Sequence, residues 1–255
     1  MTEAEWKSSR SASELLRMVR GRVSHRKLRL LACAWCRRFW NDLSPRQQQL
    51  IEVTERFADR HVSDRDFLAA FTRPRSPLRR SWPRDELADA IETLGWADAE
   101  PEGWTNDPDS LRGAASFDPH IPGLYAEFLT NRTLLYLASA ARTIQLRAHF
   151  QTVPPEKRIP RLAPRSREPV EQWKLFRDVI GNSLKPIVFD PSWRTEAVVA
   201  LARGMYESRD FAPMPVLADA LEDAGCGDPD VLAHCRGGGP HVRGCWVVDL
   251  VLGKE

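Results

Sequence analysis

The sequence has no apolar run that approaches the roughly 20 residues that a membrane-spanning helix needs. Its first residues, MTEAEWKSSR, also lack the apolar core of a secretory signal peptide. We therefore expect a cytoplasmic chain with no membrane partner. In that compartment the five cysteines would be reduced thiols or metal ligands rather than disulfides.

The chain also lacks a charge excess and a recognisable catalytic motif. It carries 37 basic and 35 acidic side chains, a net charge of +2, which by itself does not argue for nucleic acid or membrane binding. We find no Ser-His-Asp elbow, HExxH motif or EF-hand loop. The segment RGGGPHVRG (236–244) could bind an anion, but without the Lys-Ser/Thr of a P-loop a turn explains it better. We assign no catalytic and no cofactor-binding residue.

Hydrophobic periodicity predicts an all-α fold, because apolar residues recur at helical spacing and no region is rich in strands. Ser24, Ser44-Pro45, Thr195 and Asp228-Pro229 are typical helix starts. The predicted helices span 14–20, 25–43, 46–60, 66–71, 84–94, 124–150, 169–181, 196–209, 214–224, a segment from 229, and 242–252. We expect a multi-helix single domain, with N-terminal helices packed on the C-terminal helical segment and long loops in the middle.

Proline and arginine divide the chain into three parts. Residues 1–71 form an N-terminal helical part, and residues 169–255 form a C-terminal helical part that packs on it. Residues 72–168 form a middle part, with the long helix 124–150 between Pro/Arg-rich linkers. The extended segment LKPIVFDPSW (184–193) could add a short β-bridge.

Four residues predict a structural zinc site. Cys33 and Cys36 lie three apart on a predicted helix, so both thiolates could reach one ion, and His241 and Cys245 lie four apart at the start of the last helix. Further candidate ligands are Cys226, His234 and Cys235. The alternative is that the cysteines are small buried apolar residues and the histidines serve as caps or core residues. Redox chemistry is disfavoured because Cys33 lies in mid-helix with no strand before it.

Two stretches of the middle part are rich in arginine and suggest a second kind of site. Residues 73–84 and 157–167 are basic loops that could contact phosphates if they converge on one face. The arginines of the first loop are Arg73, Arg75, Arg79, Arg80 and Arg84. The alternative is an ordinary solvated connection.

The blocks SHRKLRLLACAWCRR near the N-terminus and LADALEDAGC and HCRGGGPHVRGCWVVDLVLGKE at the C-terminus are long and distinctive. They resemble a family of bacterial proteins that occurs in many copies in some large environmental genomes. The similarity covers roughly residues 1–60 and 172–255, which implies that the two ends form the scaffold around a variable middle. The resemblance brings no activity with it.

We therefore expect a non-enzymatic helical interaction or regulatory module that binds another protein and could carry a structural zinc. The alternative is a nucleic-acid-binding protein that uses the arginine loops. A third interpretation is an enzyme with a pocket under the loop 95–123.

Overall fold

The computed structural model describes residues 23–43, 45–71, 168–182, 185 and 187–254. The described residues form eight α-helices, and none of them belongs to a strand, so the all-α prediction is confirmed for this part of the chain. The helices are α1 His25–Arg37, α2 Pro45–Ala58, α3 Asp64–Phe71, α4 Glu168–Ile180, α5 Glu196–Ser208, α6 Met214–Asp223, α7 Pro229–Arg236 and α8 Trp246–Leu252. Within these ranges no helix has the length and apolarity needed to cross a bilayer.

The helix starts predicted at Ser24, Thr195 and Asp228 are confirmed by their capping hydrogen bonds, whereas the predicted cap Ser44 lies outside the described residues. The Ser24 side chain accepts from the Lys27 amide at the start of α1, and Thr195 accepts from the Val198 amide at the start of α5. Asp228 accepts from the amides of Asp230 and Val231, and Pro229 is the first residue of α7. These bonds satisfy amide groups that have no partner inside the helix.

The described residues belong to two compact units, and residues 23–38 with 168–254 form the first. In this unit α1 packs on α4, α4 also contacts α8, and α5 to α8 surround a common apolar core. The core residues are Val198, Ala202, Met205, Tyr206, Met214, Leu217, Ala218, Leu221, Cys226, Val231, Cys235, Cys245, Val247, Val248 and Val251. The fully buried Trp35 joins α1 to α4, since its indole N–H donates to the Gln172 carbonyl at 3.2 Å.

A buried carboxylate fixes α1 to α8 in the same unit. Asp249 is 1% exposed, and its two oxygens accept from the Arg26 guanidinium at 2.7 and 3.1 Å. The Lys27 ammonium lies 2.6 Å from the same carboxylate. A buried charge is tolerated when it is paired in this way, and loss of one partner is costly.

The second unit contains the described residues 39–71. In it α2 packs on α3, with the rings of Phe57 and Phe67 stacked 4.0 Å apart. Ser63 accepts from the Asp66 amide and donates to the Asp66 carboxylate, and these two bonds cap the start of α3.

The last helix is shorter than predicted, and this is a correction. It begins at Trp246 rather than at Val242, with Cys245 at the N-cap position. Gly244 has a φ of +89°, a left-handed conformation that cannot continue into a right-handed helix. The β-bridge considered for 184–193 is not formed by its described residues, since Pro191–Trp193 is a 3-10 turn. The helices predicted at 14–20, 84–94 and 124–150 lie outside the described residues.

Candidate metal site

Four potential metal ligands from three segments of the first unit meet at one point. Asp178 comes from the last turns of α4, His234 from α7, and His241 and Cys245 from the segment that joins α7 to α8. Each offers one ligand atom, and these atoms lie within 4.8 Å of one another. This group could hold a metal ion.

Hydrogen-bond distances show how closely the four side chains approach. Asp178 Oδ1 lies 2.7 Å from His241 Nδ1 and 3.2 Å from His234 Nε2, and the latter atom lies 3.2 Å from Cys245 Sγ. Ligand atoms around a tetrahedral zinc are about 3.3 to 3.6 Å apart, given zinc bonds of about 2.0 to 2.3 Å. To bind one zinc ion, the Asp178–His241 pair would have to open by about 0.6 Å, while any pair near the 4.8 Å limit would have to close.

The cluster is closed to solvent on most sides. The side chains of Asp178 and His241 are 3% and 8% exposed, and that of His234 is 18% exposed. Cys245 is completely buried. Four protein ligands in a buried cluster are typical of a structural metal site, whereas a catalytic zinc keeps one position open for water or substrate.

Contacts behind the ligands fix their orientation. The Val242 amide donates to Asp178 Oδ2 at 2.9 Å, so the carboxylate is held from its second oxygen. His241 Nε2 lies 3.4 Å from the Gly237 carbonyl, which directs Nδ1 toward the centre of the cluster. The ring of Trp246 lies 5.0 Å from that of His234. Such outer contacts set the tautomer and orientation of metal-binding histidines.

Without a metal, Asp178 and His241 form an ion pair. Burial would raise the pKa of Asp178, but hydrogen bonds from His234 and His241 and their charge outweigh it, so the pKa lies below its usual range. Burial would lower the pKa of His241, but the hydrogen bond to Asp178 and its charge raise it. Both nitrogens of His241 face acceptors, a carboxylate and a carbonyl, so both donate and the imidazole is protonated.

The Cys245 thiol is protonated in the same state. Burial raises its pKa well above the usual range, and the nearby charge of Asp178 adds to the effect. A bound divalent cation would lower the pKa of Cys245, because the charge of the cation stabilises the thiolate. Metal binding would therefore displace the protons of Cys245 and of His241 Nδ1.

The structure brings together part of the predicted zinc site. His241 and Cys245 lie in the cluster with His234, which was predicted only as a further candidate ligand. Cys33 and Cys36 are not members of the cluster; both are buried in α1. Cys226 and Cys235 are also outside it, in the apolar core, where burial raises the pKa of Cys226 and raises that of Cys235 to about 12. None of the five cysteines forms a disulfide.

Asp178 is the candidate ligand that the sequence did not reveal. It lies in LFRDVIGN, where a single acid between apolar residues has the same appearance as a solvated helix position. Only the packing of α7 and the following loop against α4 shows that this acid is buried beside two histidines.

The predicted phosphate-contacting arginines, Arg73, Arg75, Arg79, Arg80 and Arg84, lie outside the described residues, as do the basic stretch 157–167 and the loop 95–123. Comparison of the chain with protein-family models, with curated proteins and with solved structures finds no match.

Proposed function

We propose that the first unit is a non-enzymatic helical module that binds another protein and is held together by one structural zinc ion. The observation that carries the proposal is the buried convergence of Asp178, His234, His241 and Cys245, with ligand atoms within 4.8 Å. One carboxylate, two imidazoles and one thiolate are donors that zinc accepts in a tetrahedral site.

The role of the ion follows from the segments that it would connect. Asp178 belongs to α4, His234 to α7, and Cys245 directly precedes α8. The loop 237–245 between the last two helices has no regular secondary structure, so it lacks the backbone hydrogen bonds of a helix. Metal–ligand bonds would hold this loop in place instead. Since all four positions would be filled by protein, the ion would stabilise the fold and would not act on a substrate.

Two matched cysteine variants test the metal site. Cys245 and Cys235 are both fully buried in the same core, but only Cys245 belongs to the cluster. Elemental analysis of protein purified without an affinity tag should give about one zinc per chain for the wild type and for Cys235→Ala. Cys245→Ala should retain almost none and should lose the increase in melting temperature that zinc gives the other two proteins. Equal zinc in both variants would contradict the assignment.

The same three proteins test the binding role. Each is immobilised at equal concentration and exposed to an extract of the source cells, with and without nuclease. A protein partner retained by wild type and Cys235→Ala but lost with Cys245→Ala would support the proposal. Capture of nuclease-sensitive material alone would favour the nucleic-acid alternative, and turnover of a captured small molecule would favour an enzyme.

A further inference from the structure

The Lys27 side chain reaches from α1 to the segments that carry the metal ligands. Its ammonium has three N–H donors. Nζ donates to the Val179 carbonyl at 3.0 Å and to the Gly244 carbonyl at 2.7 Å, and it lies 2.6 Å from Asp249 Oδ2. These three acceptors match the donors of the ammonium, so Lys27 serves to connect segments of the protein.

Two of the three acceptors adjoin metal ligands in sequence. Val179 directly follows Asp178, and Gly244 directly precedes Cys245. Lys27 therefore connects the backbone next to Asp178 with the backbone next to Cys245. The lysine side chain is 14% exposed, so water competes little for these bonds.

Leu30 completes this contact between α1 and the cluster. A Cβ built on Gly244 would lie 3.0 Å from Cβ and Cδ1 of Leu30, which shows that the backbone before Cys245 rests directly on α1. Lys27 and Leu30 lie three residues apart, on one face of the helix. Hence α1 contributes no ligand but touches the backbone beside two of them.

We infer that Lys27 is a positioning residue for the metal site and that metal binding strengthens the attachment of α1 to the C-terminal helices. This inference rests on the proposed zinc site. The ion fixes Asp178 relative to Cys245, and so presents the carbonyls of Val179 and Gly244 at the spacing that Lys27 needs. Coupling of this kind is reciprocal, so the attachment of α1 in turn raises the affinity for the metal.

Arg26 supplies a matched control on the same helix. Its guanidinium also binds Asp249, and it donates to the Tyr206 hydroxyl at 2.8 Å. It donates to Asp249, to Tyr206 and to the Lys254 carbonyl, and none of these three residues is next to a metal ligand in the sequence. Arg26→Met thus removes a cation from the same buried carboxylate while the lysine contacts to Val179 and Gly244 remain.

The test measures zinc affinity by competition with a chromogenic chelator for wild type, Lys27→Met and Arg26→Met. It also measures amide hydrogen exchange of α1 and α7 with zinc and with chelator. Zinc should protect both helices in the wild type and in Arg26→Met. In Lys27→Met the zinc dissociation constant should rise about tenfold. Zinc should then still protect α7, which carries His234, but no longer α1.

Each other outcome has a distinct meaning. If the wild type binds zinc and only α7 gains protection, or if Lys27→Met keeps wild-type affinity and protection of α1, the inference about Lys27 is wrong while the zinc site stands. If Lys27→Met does not fold, the wild type alone tests the inference: zinc should slow the amide exchange of α1, and unchanged exchange of α1 would contradict it. If the wild type binds no zinc, the site itself is wrong.

Discussion

At the scale of single residues, the cluster depends on the charge state of Asp178. This carboxylate is 3% exposed and accepts from the Val242 amide, from His241 and from His234. Without these donors, burial would keep it protonated. His241 therefore pairs with the carboxylate when no metal is bound, and the two histidines could offer nitrogen ligands to a metal ion.

The ion pair predicts a pH dependence of the metal-free protein. Because the folded pKa of Asp178 is lowered, its contribution to stability is present above about pH 3.9 and is lost as pH falls through the folded value. Because the folded pKa of His241 is raised, its contribution is present below about pH 6.5 and is lost as pH rises through the folded value. The pair therefore contributes most at mildly acidic pH.

Melting temperatures in chelator between pH 3 and 9 check this prediction. The difference between wild type and Asp178→Asn should be largest between about pH 4 and 6.5 and should shrink on both sides. Asp223→Asn, at an exposed position of α6, is the control. Its difference in melting temperature from the wild type should not show a maximum between about pH 4 and 6.5. A difference for Asp178→Asn that does not vary with pH would contradict the ion pair.

At the scale of secondary structure, the start of α8 determines where Cys245 points. The sequence predicted a helix from Val242, in which His241 and Cys245 would lie on one face. The left-handed conformation of Gly244 excludes a continuous helix from Val242. Cys245 instead lies at the N-cap of a helix that begins at Trp246. The two ligands nevertheless converge, since the loop folds back to Asp178 through the Val242 amide.

Gly244→Ala and Gly204→Ala should have opposite effects on stability. At Gly244 a Cβ would lie 3.0 Å from Leu30, and the φ of +89° disfavours any side chain. Gly244→Ala should therefore lower the free energy of unfolding by about 2 kcal/mol. At the exposed Gly204 in α5, nothing lies within 4 Å of an added Cβ. Gly204→Ala should therefore raise the free energy of unfolding by about 0.5 to 1 kcal/mol. Urea unfolding measures both, and a neutral Gly244→Ala would mean that this turn is not required.

The sequence predicted helices better than it predicted the site. The starts of α1, α5 and α7 depend on local caps at Ser24, Thr195 and Asp228, and local patterns can be recognised without tertiary structure. The cluster depends on which helices pack together. His241 and Cys245 could be named because histidine and cysteine are uncommon. Asp178 is one of 35 acidic residues, and what distinguishes it is that it is buried beside two histidines.

At the scale of the whole molecule, residues from distant parts of the chain build one unit. Residues 23–38 lie with 168–254. The contacts that join them include the Arg26 and Lys27 bonds to Asp249 and the packing of α1 on α4. The described residues 39–71 belong to the other unit. The cluster lies entirely in the first unit, together with the buried carboxylate of Asp249 and the apolar core.

The most direct test of the central claim is X-ray absorption at the zinc edge of the metal-loaded protein. The Asp178, His234, His241 and Cys245 site predicts one sulfur at about 2.3 Å and three nitrogen or oxygen ligands at about 2.0 to 2.1 Å. The set that the sequence alone suggested, Cys33, Cys36, His241 and Cys245, would instead give three sulfurs and one nitrogen. One sulfur would support the site described here, and three sulfurs would contradict it.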